Sequence, residues 1–308
     1  MSSIIKNPDI SSIADDSTVF ITSFFREPNG RRGVHLAWSN DGFVWDEIGD
    51  REHTWLKSNI YPYDAMRDPF FAQDKKGIFH LIWTTEWSSQ GIGYSSSTDL
   101  INWTNPKWLG VMEWEPKTLN TWAPELFYDD KNGVWVIFWS STIKDKFSFC
   151  ESALGRNHRI YYTTTKDFVS FDETKLLFDP GYTVIDATMA KIDEKVYMFF
   201  KNETRVGKTI HYVTSNTPYG PWSAVSDAIS EKGKMVEGPS VLITDDKIFI
   251  YCDYFKDHIY GASMTTDMKE WQIVTDKISM PDKFRHASML SVKASVVKKL
   301  YAQLGGCS

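Results

Sequence analysis

The sequence predicts an all-β protein, a five-bladed β-propeller, and three observations carry that prediction. One strand unit recurs five times along the 308 residues, the segments between turns are rich in β-branched and aromatic residues, and helical periodicity is scarce. Hydrophobic residues make up 42% and charged residues 24%, so there is enough apolar material for a packed core. Because all repeats fit one architecture, we expect a single domain over residues 1–308 rather than two.

The clearest repeat is an alternating strand followed by a Ser/Thr-rich turn, usually an Asp, and an aromatic residue that opens another strand. A unit that recurs in this way indicates a repeat architecture. The five copies lie at residues 33–48, 91–106, 158–173, 209–224 and 258–273.

A continuous run of β-branched and aromatic residues lies upstream of each copy. Such runs, bounded by turn residues, predict strands that are buried on both faces. They lie at residues 18–25, 77–85, 133–141, 195–203 and 247–255.

A third strand precedes four of these runs, at residues 67–74, 123–130, 186–193 and 238–245. The first unit lacks it, and its counterpart stands at 286–293, near the C-terminus. We therefore expect strands from both termini to close the first blade, which removes the free sheet edges of an open array.

Charge and hydropathy exclude two classes of partner. The net charge of −6 is spread along the chain without a basic block, so we expect no nucleic-acid partner. The longest apolar runs, such as residues 134–139, are far shorter than the roughly 20 residues of a membrane helix, so we expect no membrane partner. The N-terminal decapeptide has no signal-peptide core, which favours a cytoplasmic location, or a secreted or periplasmic one if a leader was removed.

The three cysteines, Cys150, Cys252 and Cys307, are scattered and lack metal-type spacing. This pattern predicts free thiols rather than a disulfide framework or a zinc site.

Four acidic residues and one histidine stand where the third strand of each unit begins. Propeller blades direct their innermost strands at the central axis, so side chains at these entry points should converge at one end of the channel. Carboxylates gathered in a poorly hydrated pocket repel one another, and such an arrangement is usually retained for function. The entry residues are Asp68, Glu125, Asp186, Glu237 and His286.

Two carboxyl groups on either side of a bond are the usual means of cleaving a glycosidic linkage. Tryptophans near the same strand ends would suit the C–H faces of sugars, although core packing is the alternative for each of them singly. The residues predicted to bind substrate are Arg67, Trp83, Trp87, Trp122, Glu125, Trp139 and Ser141.

The motifs RDPF (67–70), WAPE (122–125), IDAT (185–188) and EGPS (237–240) resemble those of glycoside hydrolase family 43. This family contains five-bladed propellers that act as α-L-arabinofuranosidases, arabinanases and β-xylosidases, and the resemblance covers essentially the whole chain.

The resemblance implies an inverting mechanism with Asp68 as general base, Asp186 as the residue that tunes and orients the acid, and Glu237 as general acid. Glu237 would then need a proton near neutral pH, so we expect Asp186 and partial desolvation to raise its pKa. Inversion would also require Asp68 and Glu237 to stand about 6.5–9.5 Å apart.

The motif RHAS (285–288) resembles the fifth-blade histidine of the family, which in several members holds a water-coordinated metal ion, often calcium. The resemblance implies a structural calcium ion at His286 in the central channel, and no other cofactor. The alternative is a hydrogen-bonded histidine without metal, since one imidazole is a poor calcium site by itself. Arg285 is expected to reach a sugar hydroxyl, and His286 to contact substrate.

The 308 residues hold no C-terminal β-sandwich, which many β-xylosidases of the family use, and this favours release of α-L-arabinofuranose from an arabinose- or xylose-containing carbohydrate. The alternatives are a β-xylosidase, a β-galactosidase or galactanase, a retaining fructan hydrolase that shares the RDP letters, and a non-catalytic sugar-binding propeller. Exo or endo action depends on loops 104–121 and 142–158, and the oligomeric state stays open.

Overall fold

The computed structural model describes residues 6–147 and 155–305. Their strands form five antiparallel sheets, which are the blades of the five-bladed β-propeller that the repeats predict. Two of the predicted thiols, Cys150 and Cys307, and part of loop 142–158 lie outside the described residues. Cys252 is a buried free thiol.

The described part of the chain consists mainly of short antiparallel strands that follow one another in sequence. One α-helix, α1 (Ala294–Gly305), comes after the last strand, and no helix in the described ranges has the length and apolar character needed to cross a membrane. The strands are β1 (Thr18–Phe25), β2 (His35–Ser39), β3 (Asp46–Glu47), β4 (Arg67–Gln73), β5 (Phe79–Thr84), β6 (Ile92–Ser97), β7 (Lys107–Leu109), β8 (Trp122–Asp129), β9 (Val134–Ser141), β10 (Arg159–Thr165), β11 (Lys175–Phe178), β12 (Val184–Ile192), β13 (Lys195–Asn202), β14 (Ile210–Ser215), β15 (Glu237–Ile243), β16 (Ile248–Tyr254), β17 (Ile259–Thr265), β18 (Gln272–Ile273) and β19 (Arg285–Lys293).

Blade 1 joins both ends of the described chain, as the sequence predicts. Its strand order is β19-β1-β2-β3, with Thr18 paired to Lys293 and Ser23 to Ser288 in antiparallel register. Blades 2, 3 and 5 are formed by β4–β7, β8–β11 and β15–β18. The strand donated by the C-terminal part thus covers the edge of β1 that would otherwise be free.

Blade 4 has three strands among the described residues, β12–β14, where the repeat predicted four. The segment after β14 still lies alongside it, because Ser223 and Ser226 donate backbone N–H bonds to carbonyls of β14. Their side-chain hydroxyls accept the N–H groups of Thr214 and Tyr212 in place of backbone carbonyls. Side-chain acceptors therefore replace a regular ladder at this outer edge.

The Ser/Thr-x-Asp turn of the repeat has one recurring geometry. In blade 2, Asp99 Oδ1 accepts the N–H groups of Ile101 and Asn102, and Ser97 Oγ accepts that of Leu100, whose φ is 63°. Short polar side chains commonly hold such turns by bonding to nearby backbone. Equivalent turns with an Asp acceptor occur around 39–42, 165–168 and 265–268.

The apolar core is divided among the five seams between neighbouring blades. Strand β9 shows how one strand serves two seams: Val136 and Phe138 pack toward blade 4, whereas Ile137 and Trp139 pack toward blade 2. Both faces of such a strand are buried, so its sequence is continuously apolar. Helix α1 adds Val297 and Leu300 to the seam between blades 1 and 2.

Candidate active site

Each innermost strand opens with the same backbone irregularity, a residue with positive φ followed by a shift in register against the second strand. A left-handed conformation costs an L-residue roughly 1–2 kcal/mol. Four blades carry this strain and blade 5 avoids it with glycine, and backbone strain of this kind clusters at functional sites. The five residues are Asp68 (φ 50°), Ala123 (φ 46°), Asp186 (φ 54°), Gly238 (φ 56°) and His286 (φ 36°).

The sequence placed Glu125 and Glu237 at the same point of their strands as Asp68 and Asp186, and the structure shows that they are offset from it. Glu237 lies one residue before the positive-φ position of its blade, and Glu125 lies two residues after it. The register shift sends Glu125 away from the channel mouth, where its carboxyl is 3% exposed and lines no part of the cavity described below. Burial raises the pKa of Glu125 well above its usual value. Glu125 was predicted to contact substrate, but it lies behind the cavity lining.

A cavity of about 150 Å³ opens where the inner strands of blades 2 to 5 and blade 1 begin. It brings together the three carboxyl groups of the predicted catalytic set, Asp68, Asp186 and Glu237, although 118 and 51 residues separate them along the chain. The lining residues are Arg67, Asp68, Thr84, Trp87, Trp122, Ile185, Asp186, Lys201, Glu203, Glu237 and His286.

Asp68 is held by one hydrogen bond and one close contact with a histidine ring. Thr84 Oγ1 donates to its Oδ2 at 2.7 Å, and His286 Nδ1 lies 3.2 Å from its Oδ1. The same Thr84 hydroxyl accepts the backbone N–H of Ala123 at 2.7 Å, which fixes its orientation. A hydroxyl that already accepts a backbone proton donates its own toward the carboxylate, so Thr84 orients Asp68.

Asp186 is buried at the base of the cavity. Its backbone N–H donates to Ser140 Oγ at 3.1 Å, and its Oδ2 accepts the backbone N–H of Gly238 at 3.1 Å. Burial raises the pKa of Asp186 to about 6, the charges of Glu237 and Asp68 add to this, and His286 and Lys201 oppose it. Asp186 therefore ties the inner strand of blade 4 to that of blade 5, directly beside Glu237.

Both carboxylate oxygens of Glu237 face cations. Lys201 Nζ lies 2.9 Å from Oε2, and Arg285 Nη2 lies 3.1 Å from Oε1. Burial raises the pKa of Glu237, but Lys201 and Arg285 together outweigh it, so the net direction is downward. The prediction of a raised pKa for Glu237 was wrong, because Lys201 and Arg285 outweigh the burial and the negative charge on which it was based.

These contacts belong to a chain of alternating charges that runs along one side of the cavity. Arg285 also contacts Asp253, and Lys201 also pairs with Glu203 at 2.7 Å. Glu203 in turn pairs with Lys208 at 2.5 Å. Burial is the main cause that raises the pKa of Asp253 to about 6. Since buried charges persist only when paired, the chain keeps every member compensated.

An aromatic and cationic rim surrounds the opening. Trp87 is 47% exposed, and its ring meets that of Trp122 edge to face at 5.3 Å. The guanidinium of Arg67 stacks over Trp87 at 4.8 Å, and that of Arg156 over Trp122 at 4.7 Å. Flat aromatic faces beside a polar pocket suit a sugar ring. Trp87, Trp122 and Arg67, which were predicted to contact substrate, all line the cavity.

Other predicted substrate contacts are not at the cavity. Trp83 and Trp139 are fully buried in the seams, because the residues that follow them, Thr84 and Ser140, occupy the channel side of the alternating strand. Ser141 is also fully buried. Arg285 does not line the cavity and reaches it only through its bond to Glu237.

Sequence reasoning missed Lys201, Glu203, Thr84 and Ile185, all of which line the cavity. A signal for the first two was present: a lysine and a glutamate close the apolar run VYMFF, where a strand buried on both faces has no solvent for charges. Thr84 ends strand β5, and nothing in the sequence distinguished it from the many other Ser and Thr residues at strand ends.

The protein groups around His286 provide few of the ligands that a calcium ion needs. Calcium takes six to eight oxygen ligands. His286 Nδ1 lies against a single carboxylate, that of Asp68, and the described residues hold no group of three or more His, Cys, Asp or Glu side chains placed as metal ligands. The protein groups around His286 therefore do not by themselves form a calcium site, and the ion stays a prediction of the resemblance.

Solved structures of similar fold have low sequence identity to this chain. An α-L-arabinofuranosidase from Lactobacillus brevis superposes with a TM-score of 0.53 at 18% identity, covering 68% of this chain and 72% of that one. An arabinanase from Bacillus subtilis gives 0.53 at 13% identity, over 70% of this chain and 76% of its own. An exo-β-1,3-galactanase from Phanerochaete chrysosporium gives 0.54 at 12% identity, over 71% and 52%. At these identities the likeness shows the propeller fold alone.

Two sequence comparisons bear on the family. An α-L-arabinofuranosidase from Bifidobacterium longum is 27% identical over 232 residues, which is 66% of this chain but 21% of that protein, so the chain spans about a fifth of that relative's length. A family model described as "Probable glycosyl hydrolase domain", related to glycoside hydrolase family 43, matches residues 15–297. Since that match covers nearly all of the chain, the protein belongs to glycoside hydrolase family 43.

Proposed function

We propose that this protein is an inverting glycoside hydrolase that releases α-L-arabinofuranose from the ends of carbohydrate chains. One observation carries the proposal: Asp68, Asp186 and Glu237, from three different blades, line one small cavity with aromatic residues at its rim. A non-catalytic sugar-binding site has no need of three converging carboxyl groups, since their mutual repulsion opposes the folded state.

Asp68 is the general base of the proposed mechanism. It takes a proton from a water molecule that attacks the anomeric carbon on one face of the sugar, while Thr84 and His286 hold its carboxylate in place. Glu237 gives a proton to the glycosidic oxygen, so the bond to the leaving group breaks as the bond to water oxygen forms. The proton gained by Asp68 and the one lost by Glu237 balance each other.

Glu237 must bind its proton when the substrate is present. A sugar ring in the cavity displaces water and strengthens the burial that already raises the pKa of this carboxyl, against the pull of Lys201 and Arg285. Asp186, whose own carboxyl is buried beside it, adds negative charge in the same direction when ionised. We therefore propose that Glu237 takes up its proton in the complex with substrate and not in the free protein.

The size of the cavity and the sequence relative support the choice of substrate. At about 150 Å³ the cavity lies below the about 300–1,000 Å³ of sites for drug-sized ligands, which suits one terminal sugar rather than several. The Bifidobacterium longum relative at 27% identity is an α-L-arabinofuranosidase, and we propose the same sugar here.

The leaving-group dependence of Glu237→Gln tests the acid role. On substrates with a poor leaving group, such as arabino-oligosaccharides, we expect kcat to fall about 10²–10⁴-fold, the usual contribution of a general acid. On 2,4-dinitrophenyl α-L-arabinofuranoside, whose leaving group needs no proton, we expect a much smaller loss. Glu52→Gln, at an exposed glutamate paired with Arg32, is the control.

The anomer released first and the range of substrates complete the test. Proton NMR should show the inverted anomer, and a retained one would contradict the mechanism. Equal losses on both classes of leaving group would remove Glu237 from the acid role. Turnover of xylosides or galactosides in place of arabinosides would replace arabinofuranose as the proposed substrate sugar. No turnover on any glycoside would favour a sugar-binding protein.

A further inference from the structure

One position recurs in the second strand of successive blades and connects each blade to the next. It is the residue paired with the one immediately before the positive-φ residue of the inner strand. The pairs are Arg67 with Thr84, Trp122 with Ser140, Ile185 with Lys201 and Glu237 with Asp253.

The side chain at this position reaches the inner strand of the following blade in each case. In blades 2 and 3 it is a hydroxyl that accepts a backbone N–H, from Ala123 at 2.7 Å and from Asp186 at 3.1 Å. In blade 4 it is Lys201, and its target is the side-chain carboxylate of Glu237 rather than the backbone. A hydroxyl therefore suffices to join two blades, whereas blades 4 and 5 use charged side chains: in blade 5 Asp253 contacts the side chain of Arg285 on β19.

A lysine at this position requires a further charge to compensate it. Lys201 is 2% exposed, and its ammonium also pairs with Glu203 at 2.7 Å, which is itself 5% exposed. Burying charges in this way is unfavourable unless every partner is present. A neutral hydroxyl would have avoided that requirement, so the exchange of hydroxyl for lysine points to what it contacts, the carboxyl of Glu237.

Building on the proposed function, we infer that Lys201 is a positioning residue for Glu237: with Arg285 it clamps both carboxylate oxygens and keeps Glu237 ionised until a substrate enters. While Lys201 and Arg285 favour the carboxylate form, Glu237 has no proton to give to the glycosidic oxygen. When Glu237 takes up its proton, Lys201 retains Glu203 as a partner and stays compensated. Glu203 is thus the anchor that lets Lys201 release Glu237.

Five charged groups from four strands face Glu237. Lys201 on β13 and Arg285 and His286 on β19 favour its ionised form, whereas Asp186 on β12 and Asp253 on β16 oppose it. Removing Lys201 leaves burial and two acids against Arg285 and His286. The pKa of Glu237 should therefore rise in Lys201→Met.

The test is a titration of the Glu237 carboxyl by carbon-13 NMR of the full chain labelled at glutamate Cδ, with Glu237→Gln to assign the signal. In the wild type we expect the signal to titrate below the ordinary glutamate pKa of about 4.3. In Lys201→Met we expect an upward shift of at least about one pH unit, which is a tenfold change in proton affinity. Lys201→Arg, which keeps the cation, should titrate as the wild type does.

Lys208→Met is the matched control, because Lys208 pairs with the same Glu203 but is not among the groups in contact with Glu237. It should leave the Glu237 titration unchanged. An unchanged titration in Lys201→Met, or an equal shift in Lys208→Met, would overturn the inference and leave Lys201 as a link between blades. Should Lys201→Met not fold, Lys201→Gln serves the same comparison.

Kinetics add a readout that a merely structural role would not move. The pH profile of kcat/KM reports the free enzyme and that of kcat the complex. We expect the basic limb of kcat/KM to move to higher pH in Lys201→Met, and kcat to fall. The NMR titration does not require turnover. An inactive wild type would therefore overturn the proposed function, whereas the titration would still test whether Lys201 keeps Glu237 ionised.

Discussion

At the scale of single residues, the site holds carboxyl groups whose environments push their pKa values in opposite directions. Burial raises that of Asp186, while Lys201 and Arg285 bring that of Glu237 down. Divergent environments of this kind are how one pocket assigns different acid and base roles to chemically similar groups. In the free protein Asp186 therefore holds its proton more tightly than Glu237 does.

Asp186→Asn should stabilise the protein at neutral pH while abolishing turnover. The folded state raises the pKa of Asp186 from 3.8 to about 6, so the native protein binds this proton more tightly than the unfolded chain. Ionisation of Asp186 therefore destabilises the fold as pH rises through that window, and the full effect is present above about pH 6. We expect a gain of about 1–3 kcal/mol at pH 7, by urea unfolding.

The gain should disappear below about pH 4, where Asp186 is protonated in both states. Asp130→Asn, at an exposed carboxyl that pairs with Lys75, is the control and should show no such dependence on pH. A difference of the same size at both pH values would contradict the assignment of the effect to ionisation.

The sequence identified the three acids at this scale, because a motif marks each of them at the start of a strand. It failed for Trp83 and Trp139, which belong to strands buried on both faces, where continuous apolar runs do not tell which face meets the channel. It also failed for Lys201, since a strand pattern does not say which neighbour a long side chain will reach.

At the scale of elements, the positive-φ residue that opens each inner strand decides which side chains meet. The register shift after it turns Asp68, Asp186 and His286 toward one cavity and withdraws Glu125. Strand positions were predictable to within a few residues from the repeats, but this shift was not, since Asp, Ala, Gly and His share no letter pattern that announces it.

Gly238→Ala tests the role of this position in blade 5. A Cβ there would lie 2.9 Å from His286 Nδ1, and φ is 56°, so the substitution adds both backbone strain and a clash. We expect a loss of about 1–3 kcal/mol in stability from the strain. Displacement of His286 from Asp68 should also lower kcat, by about tenfold or more, since small misplacements at a reacting centre are costly.

Gly181→Ala is the matched control, because Gly181 also has positive φ, 87°, but a Cβ there would meet nothing within 4 Å. It should lose similar stability without losing activity. If both variants lost activity equally, the effect would belong to backbone strain and not to His286.

At the scale of the whole molecule, the ring is closed inside blade 1, where β19 pairs with β1, and the helix that follows packs into the seam between blades 1 and 2. Helix α1, which the sequence pattern did not predict, buries Val297 and Leu300 in that seam beside the strands of both blades. The propeller and its closure followed from repeats alone, because five copies of a unit that cannot bury its faces singly must pack against one another.

Leu300→Ala should lower the free energy of unfolding by about 2–5 kcal/mol, the usual effect of emptying a buried leucine site. The measurement is the midpoint of urea unfolding, with Gln303→Ala, at an exposed position of the same helix, as control. KM at 25 °C should stay as in the wild type, since no residue of the helix lines the cavity. An unchanged midpoint would mean that α1 does not support the ring.

The origin of the three acids in separate blades has a consequence for how such a pocket diversifies. The distances between the three carboxyl groups depend on how neighbouring blades pack, and therefore on the volume of the side chains in the seams between those blades. Exchanging one seam residue for a larger or smaller one would widen or narrow the gap between Asp68 and Glu237, while every residue that lines the cavity stayed the same. New sugar preferences in this scaffold can thus arise from mutations that never touch the sugar.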